Sequence, residues 1–109
     1  MQGGIAMYFH DFLKEQLKDP KLADEYMKCQ PELSVLRARL SSKISQKELA
    51  KRSGITQGEI SKIETGVRNP SIKLLQRIAD ALDMVLEVSF IPKDEYMKNL
   101  MESLENDKE

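Results

Sequence analysis

Ten basic side chains fall between Leu33 and Arg77: Arg37, Arg39, Lys43, Lys47, Lys51, Arg52, Lys62, Arg68, Lys73 and Arg77. Only Glu48, Glu59 and Glu64 oppose them, so this stretch carries +7 while the rest of the 109-residue chain carries −8. The overall charge of −1 therefore hides a cationic centre between acidic ends. Such a centre suits a phosphate polyanion, because backbone affinity depends on local positive charge. Charge alone leaves a second reading open, a solvated mixture of ions. Nothing in the chain is arranged for catalysis. His10 and Cys29, each the sole residue of its type, cannot make a zinc cluster or an internal disulfide. No phosphate loop and no histidine paired with a nucleophile occurs, so neither an enzyme nor a cofactor is expected. Cys29 reads as a small apolar packing residue at a helix end, with a reactive thiol as the other reading, and His10 as a polar position on an N-terminal helix.

The length suits one compact domain with short appendages. The longest apolar stretch, Met84 to Ile91, is broken by Glu87 and Ser89 and falls short of the roughly 20 residues of a bilayer span. Met1 to Met7 is too short and too weakly basic for a secretory signal, and a cytoplasmic location is expected.

Those cations must be held by helices. Phe9, Phe12, Leu13 and Leu17 recur at helical spacing, and Asp19-Pro20 opens a second helix with Leu22, Ala23, Tyr26 and Met27 on one face. After Pro31, Leu33, Leu36 and Leu40 mark a third helix, expected to fray at Ser41-Ser42. Two helix starts then follow closely. Ser45 with Glu48, and Thr56 with Glu59, each fit the S/T-x-x-E capping box, in which hydroxyl and carboxylate both satisfy backbone amides. Between them Ser53-Gly54-Ile55 supplies a glycine where the first helix must stop. Two short helices joined by a tight turn result, with Leu49, Ile55, Ile60 and Ile63 as apolar contacts and Ala50 small at the crossing.

The run from Gln46 to Gly66, continued by Asn69-Pro70-Ser71 and by Leu74 to Leu82, resembles the Xre/Cro repressor-like helix-turn-helix family. The resemblance implies a mainly α fold in which residues 31–83 form a five-helix DNA-binding domain, with the helix after Thr56 in the major groove. A recognition helix presents its N-terminal side chains to base edges. The candidates are Thr56, Gln57, Ser61 and Lys62. Gln57 is the best base reader, since its amide both donates to and accepts from adenine. Lys62 reaches guanine or only a phosphate, and Ser61 is a base contact or a solvated position. The resemblance places Gln46 and its helix N-terminus at the phosphate backbone, with Lys47, Arg68 and Asn69 as further phosphate contacts. Gly58 departs from the family pattern, because a side chain that often reads bases is missing there. A helical glycine also costs about 1 kcal/mol relative to alanine, so either DNA approaches closely or specificity is reduced. Arg39 and Glu64 take positions that form a buried pair in similar domains and are read as scaffold. Leu74, Leu75, Ile78 and Leu82 close the core.

Residues 84–92 read as a strand with Leu86, Val88 and Phe90 on one face, yet no second strand is evident. The same strand of a second copy would satisfy it, giving a homodimer with two recognition helices about 34 Å apart; a sheet edge on another protein is the alternative. With its N-terminal helical extension (1–30) and acidic tail (93–109), the chain looks like HigA-type antitoxins. That resemblance implies a RelE/HigB-like mRNA-cleaving toxin as partner and repression of a shared operon. The alternative is a stand-alone regulator of the same fold. Tyr8, Phe9, Phe12, Leu17 and Tyr26 are the candidate toxin anchors, or else an intramolecular cover. Met97, Leu100, Met101 and Leu104 form an amphipathic stripe that docks on a partner, docks on the chain itself, or stays disordered.

Overall fold

The structure is a computed structural model and describes residues 11–106. Tyr8, Phe9 and His10 lie outside them. The described residues are helical at 11–17 (α1), then at Pro20–Lys28 (α2), Gln30–Ser41 (α3), Gln46–Ser53 (α4), Gln57–Glu64 (α5), Ile72–Ala81 (α6) and Lys93–Asn106 (α7). They group into two compact units. One is Lys28–Val88, holding α3 to α6; the other joins the described residues up to Met27 with those from Ser89 onward.

In the first unit, three helices start where a hydroxyl can take an orphan amide. Ser45 Oγ accepts from the Glu48 N–H at 3.0 Å, Thr56 Oγ1 from that of Glu59 at 3.1 Å, and Ser71 Oγ from that of Leu74 at 3.1 Å. Each such cap is worth about 1 kcal/mol. The carboxylate half of the two expected boxes is not made. Glu48 instead accepts from Arg52 Nε at 2.8 Å, and Glu59 pairs with Arg68. An ion pair with a nearby guanidinium takes the place of each amide contact. Gly54 ends α4 at φ 74°, its N–H donating to the Ala50 carbonyl at 3.0 Å. A Cβ there would lie 3.1 Å from the Arg77 guanidinium, which caps the same turn by donating to the Ser53 carbonyl at 2.9 Å. Glycine at position 54 is thus favoured by its positive φ, and a Cβ there would also crowd the Arg77 guanidinium.

The core of this unit is Val35, Leu49, Ile55, Ile60, Ile63, Ile78 and Leu82, with Ala50, Leu74 and Leu75 packed against it. Leu49, Ile60 and Ile63 are wholly buried. The inward face of α3 differs from expectation. Val35 and Ala38 face the core, whereas Leu33 and Leu36 are half-buried and Leu40 is exposed. Both sets recur at helical spacing, and the one carrying Arg39 toward its partner on α5 is the one that turns in. Ser41 and Ser42 end α3 by donating their hydroxyls to the Ala38 carbonyl, each at 3.0 Å. Four helices, rather than the expected five, lie within 28–88. After Leu82 the chain turns through Asp83, at φ 57°, and continues without regular structure.

Residues 84–92 form no strand, and none occurs among the described residues. A strand is defined by a neighbour that takes its N–H and C=O groups, and no described segment of the chain pairs with 85–91. Val85, Val88 and Phe90 are exposed, Phe90 at 99%, and only Leu86 is half-buried.

The second unit has its own small core of Leu17, Ala23 and Leu104, with Leu13, Tyr26, Met97, Leu100 and Met101 packed on it. The C-terminal amphipathic stripe therefore docks on the chain's own α1 and α2. Asp19 Oδ1 accepts from the Lys21 N–H at 2.9 Å at the start of α2, and Lys14 and Glu105 form an ion pair at 3.3 Å. No described helix is long and apolar enough to cross a membrane. Burial pushes the Cys29 thiol up, Glu32 adds to the shift, and Cys29 stands half-buried at the N-cap of α3. Its thiol stays protonated at neutral pH, which fits the packing reading rather than the reactive one.

Candidate nucleic-acid interface

Ile60 and Ile63 fix the rotation of α5. With 100° per residue, burying these two turns Gly58 and Lys62 to the opposite, outward side, and both are exposed. Thr56 and Gln57 are exposed at the helix start, and Ser61 is half-buried on a flank. The Thr56 hydroxyl oxygen is already used as a cap, which leaves its O–H as the free donor. A Cβ placed on Gly58 would meet nothing within 4 Å. Neither its backbone angles nor its surroundings require a glycine, so the protein's own packing gives no reason for the stability it forgoes.

Gln46 opens α4 beside the end of α5. Its Nε2 donates to Glu64 Oε1 at 3.0 Å, the oxygen that also accepts from Arg39 Nη2 at 3.0 Å. Arg39 Nε meets Glu64 Oε2 at 2.7 Å, and Arg39 Nη1 donates to the Ile44 carbonyl at 2.9 Å. The side chains of Arg39 and Glu64 are 11% and 4% exposed. Burial pushes the Glu64 carboxyl up, but hydrogen bonds from Arg39 and Gln46, with the charge of Arg39, outweigh it and hold the carboxyl below its usual range. The bond to Glu64 holds the Arg39 guanidinium above its ordinary value. Arg39 and Glu64 thus form a preorganised bidentate pair, joined by Gln46, a residue nominated for phosphate contact. The Gln46 oxygen and its second N–H remain for a ligand. Lys47, next to it, is exposed.

Beyond α5 the chain doubles back. The N–H groups of Val67 and Arg68 both donate to the Lys62 carbonyl, at 2.9 and 3.1 Å, and Gly66 takes φ 78° to permit the turn. Arg68 and Asn69 are exposed, and the Arg68 guanidinium returns along the helix to Glu59. Every nominated DNA contact thus lies on the N-terminal turn of α4, at the N-cap of α5, on α5 itself, or on the loop after it. Two positioning roles were not visible in the sequence, that of Glu64 toward Gln46 and that of Glu59 toward Arg68. Both cross between elements, and no local spacing signals them.

Among the other nominations, Leu17 is buried and Tyr26 half-buried in the core of the second unit, while Phe12 is 62% exposed. Among the described residues no group of histidine, cysteine and carboxylate side chains is placed to hold a metal ion.

Residues 35–86 match the family described as Helix-turn-helix, a span inside the first unit. The chain is 48% identical over 56 residues to the uncharacterized HTH-type transcriptional regulator y4dL of Sinorhizobium fredii, covering 51% of this chain and 28% of that protein. It is 38% identical over 53 residues to the uncharacterized HTH-type transcriptional regulator Rv0474 of Mycobacterium tuberculosis, covering 49% of this chain and 38% of that one. The chain thus spans about a third of the length of the curated relatives it matches. No solved structure matches it.

Proposed function

From the helix-turn-helix domain at residues 35–86, we propose that the chain is a transcriptional regulator that reads double-stranded DNA with α5 in the major groove. The observation that carries this reading is the rotation of α5, which buries Ile60 and Ile63 and turns Gly58 and Lys62 outward, with Gln57 exposed at the helix start. Gln57 reads a base edge, Ser61 and Lys62 contact bases or phosphates beside it, and Thr56 offers its hydroxyl proton. Gln46, Lys47, Arg68 and Asn69 hold phosphates on either side. These supports are geometric and chemical, and the regulator names borne by the relatives point the same way.

A second copy completes the reading of a two-fold operator. The exposed Val88 and Phe90, with half-buried Leu86 between α6 and α7, offer an apolar segment whose backbone groups pair with no other described segment. A second copy of the same segment would take them. The narrower reading, an antitoxin that also holds a RelE/HigB-like toxin, draws on the appended helical unit. It is the less favoured of the two, because Leu17 and Tyr26 are engaged in that unit's own packing, and of the described anchors Phe12 alone is exposed. A neighbouring gene whose product arrests growth unless this chain is co-expressed would reverse that preference.

The test is selection of duplexes from a random-sequence library, followed by binding of the selected duplex and a scrambled one. Gln57→Ala should keep its helical circular dichroism and lose about 1–3 kcal/mol of discrimination, roughly fivefold to 150-fold. Unchanged discrimination removes Gln57 from the site. A wild-type chain that enriches no duplex removes the function.

A further inference from the structure

Glu59 was expected only to cap α5, but its carboxylate leaves the cap and meets Arg68. Glu59 Oε2 is buried, and Arg68 Nη1 is its ion-pair partner; no described group, Arg68 included, donates a well-aligned hydrogen bond to that oxygen, so charge alone holds the two together. The Glu59 side chain is 23% exposed and that of Arg68 is 55% exposed. Arg68 is held at its other end as well, where its N–H donates to the Lys62 carbonyl at 3.1 Å. The arginine is therefore anchored at both backbone and tip, and it lies along α5 from the loop toward the first turn. A guanidinium has five N–H donors in a planar fork. One nitrogen faces Glu59, so donors remain on the exposed side.

We propose that Glu59 is a positioning residue for DNA binding, its carboxylate fixing Arg68 so that the remaining guanidinium donors meet a phosphate flanking the groove that α5 enters. The proposal rests on the DNA-binding reading above. Its physical basis is preorganisation: a long side chain already ordered in the free protein loses less rotamer freedom when it binds.

Two effects of Glu59 oppose each other, and their signs differ. A carboxylate near DNA repels phosphate, so if that were its only effect, its removal would tighten binding. If it positions Arg68, its removal weakens binding. The sign of one substitution decides.

The assay is fluorescence anisotropy of the full chain on a mixed-sequence duplex and on a duplex selected by the wild type, across a salt series. Glu59→Gln removes the charge and keeps a helix-compatible side chain. It should weaken binding about three- to tenfold on both duplexes, and the log–log salt slope should fall toward that of Arg68→Ala, which loses about 0.9. In the Arg68→Ala background, Glu59→Gln should weaken binding no further. Arg68→Lys, at an exposed site, keeps the charge but loses the fork; it should show a similar loss with an unchanged melting temperature, so the result does not depend on Glu59→Gln folding. Glu59→Gln binding as tightly as wild type or tighter overturns the clasp alone, as do purely additive effects or Arg68→Lys binding like wild type. A wild-type chain that binds neither duplex overturns both the clasp and the DNA-binding reading.

Discussion

Replacing Glu64 by leucine tests whether the Arg39–Glu64 pair is scaffold and what it costs to break. The pair is bidentate, at 2.7 and 3.0 Å, with side chains 11% and 4% exposed, so solvent screens it little. Glu64→Leu leaves a nearly buried guanidinium with only the Ile44 carbonyl, and Arg39→Met leaves a nearly buried carboxylate with only Gln46. Breaking such a pair by removing one partner costs about 3–5 kcal/mol, whereas replacing both by apolar groups of similar volume is often near neutral. Each single variant should therefore melt at least about 12 °C below wild type, at about 4–8 °C per kcal/mol for a domain of this size. The Arg39→Met/Glu64→Leu double variant should recover most of that loss. Thermal and urea unfolding followed by circular dichroism measure all four proteins. Single losses below about 1 kcal/mol, or additive losses in the double variant, would show the pair to be an ordinary screened surface contact. The pH dependence has a definite sign. The Glu64 carboxyl is held low in the folded state, so its contribution is fully present above the unfolded carboxylate pKa and fades as pH falls through the lower folded one. The double variant should lose that part of the acid limb. It should also bind DNA more weakly than its recovered stability suggests, because Gln46 has lost the Glu64 oxygen that orients it.

Two further substitutions probe the interface. Gly58→Ala adds a Cβ that meets nothing within 4 Å, so it should stabilise the domain by about 1 kcal/mol; scanning calorimetry checks that gain, and a loss would show a backbone constraint at Gly58. A fall in duplex affinity alongside the gain would mean that DNA packs against the bare backbone. Phe90→Asp, at a position 99% exposed, should leave the melting temperature of a monomer unchanged and shift sedimentation from dimer to monomer; a wild-type chain already monomeric at high micromolar concentration would refute pairing through this segment.

Local signals were legible in the sequence and distant ones were not. Ser45, Thr56 and Gly54 act on amides and carbonyls within four residues of themselves, so their roles can be read from spacing alone. Leu49, Ile60 and Ile63 were legible because only one face of each short helix is apolar enough to bury. The longer α3 has two such stripes, and which one turns inward depends on Arg39 finding Glu64, 25 residues away. The carboxylates of Glu48 and Glu59 were misassigned for a related reason. The capping motif states that an amide is within reach, but it is silent about a competing guanidinium. The strand expected at 84–92 failed differently, since alternation describes what a segment can pair with and cannot supply the partner.

The charge pattern acquires a division of labour once these pairs are placed. All three acidic residues of the +7 segment hold an arginine: Glu48 holds Arg52, Glu59 holds Arg68 and Glu64 holds Arg39. Arg77 caps a turn, and Arg37 donates to Gln30 Oε1 at 3.1 Å. The lysines behave otherwise: Lys43, Lys47, Lys51, Lys62 and Lys73 are exposed, and none forms an ion pair with another described residue. Within this segment the arginines, with five donors each, take fixed partners, and the hydrated ammonium groups of the lysines are left to water. Counterion release on binding should accordingly be carried mostly by the lysines. Arg68 is paired at its tip yet more than half exposed, which makes it a residue through which the scaffold can set the geometry of a phosphate contact.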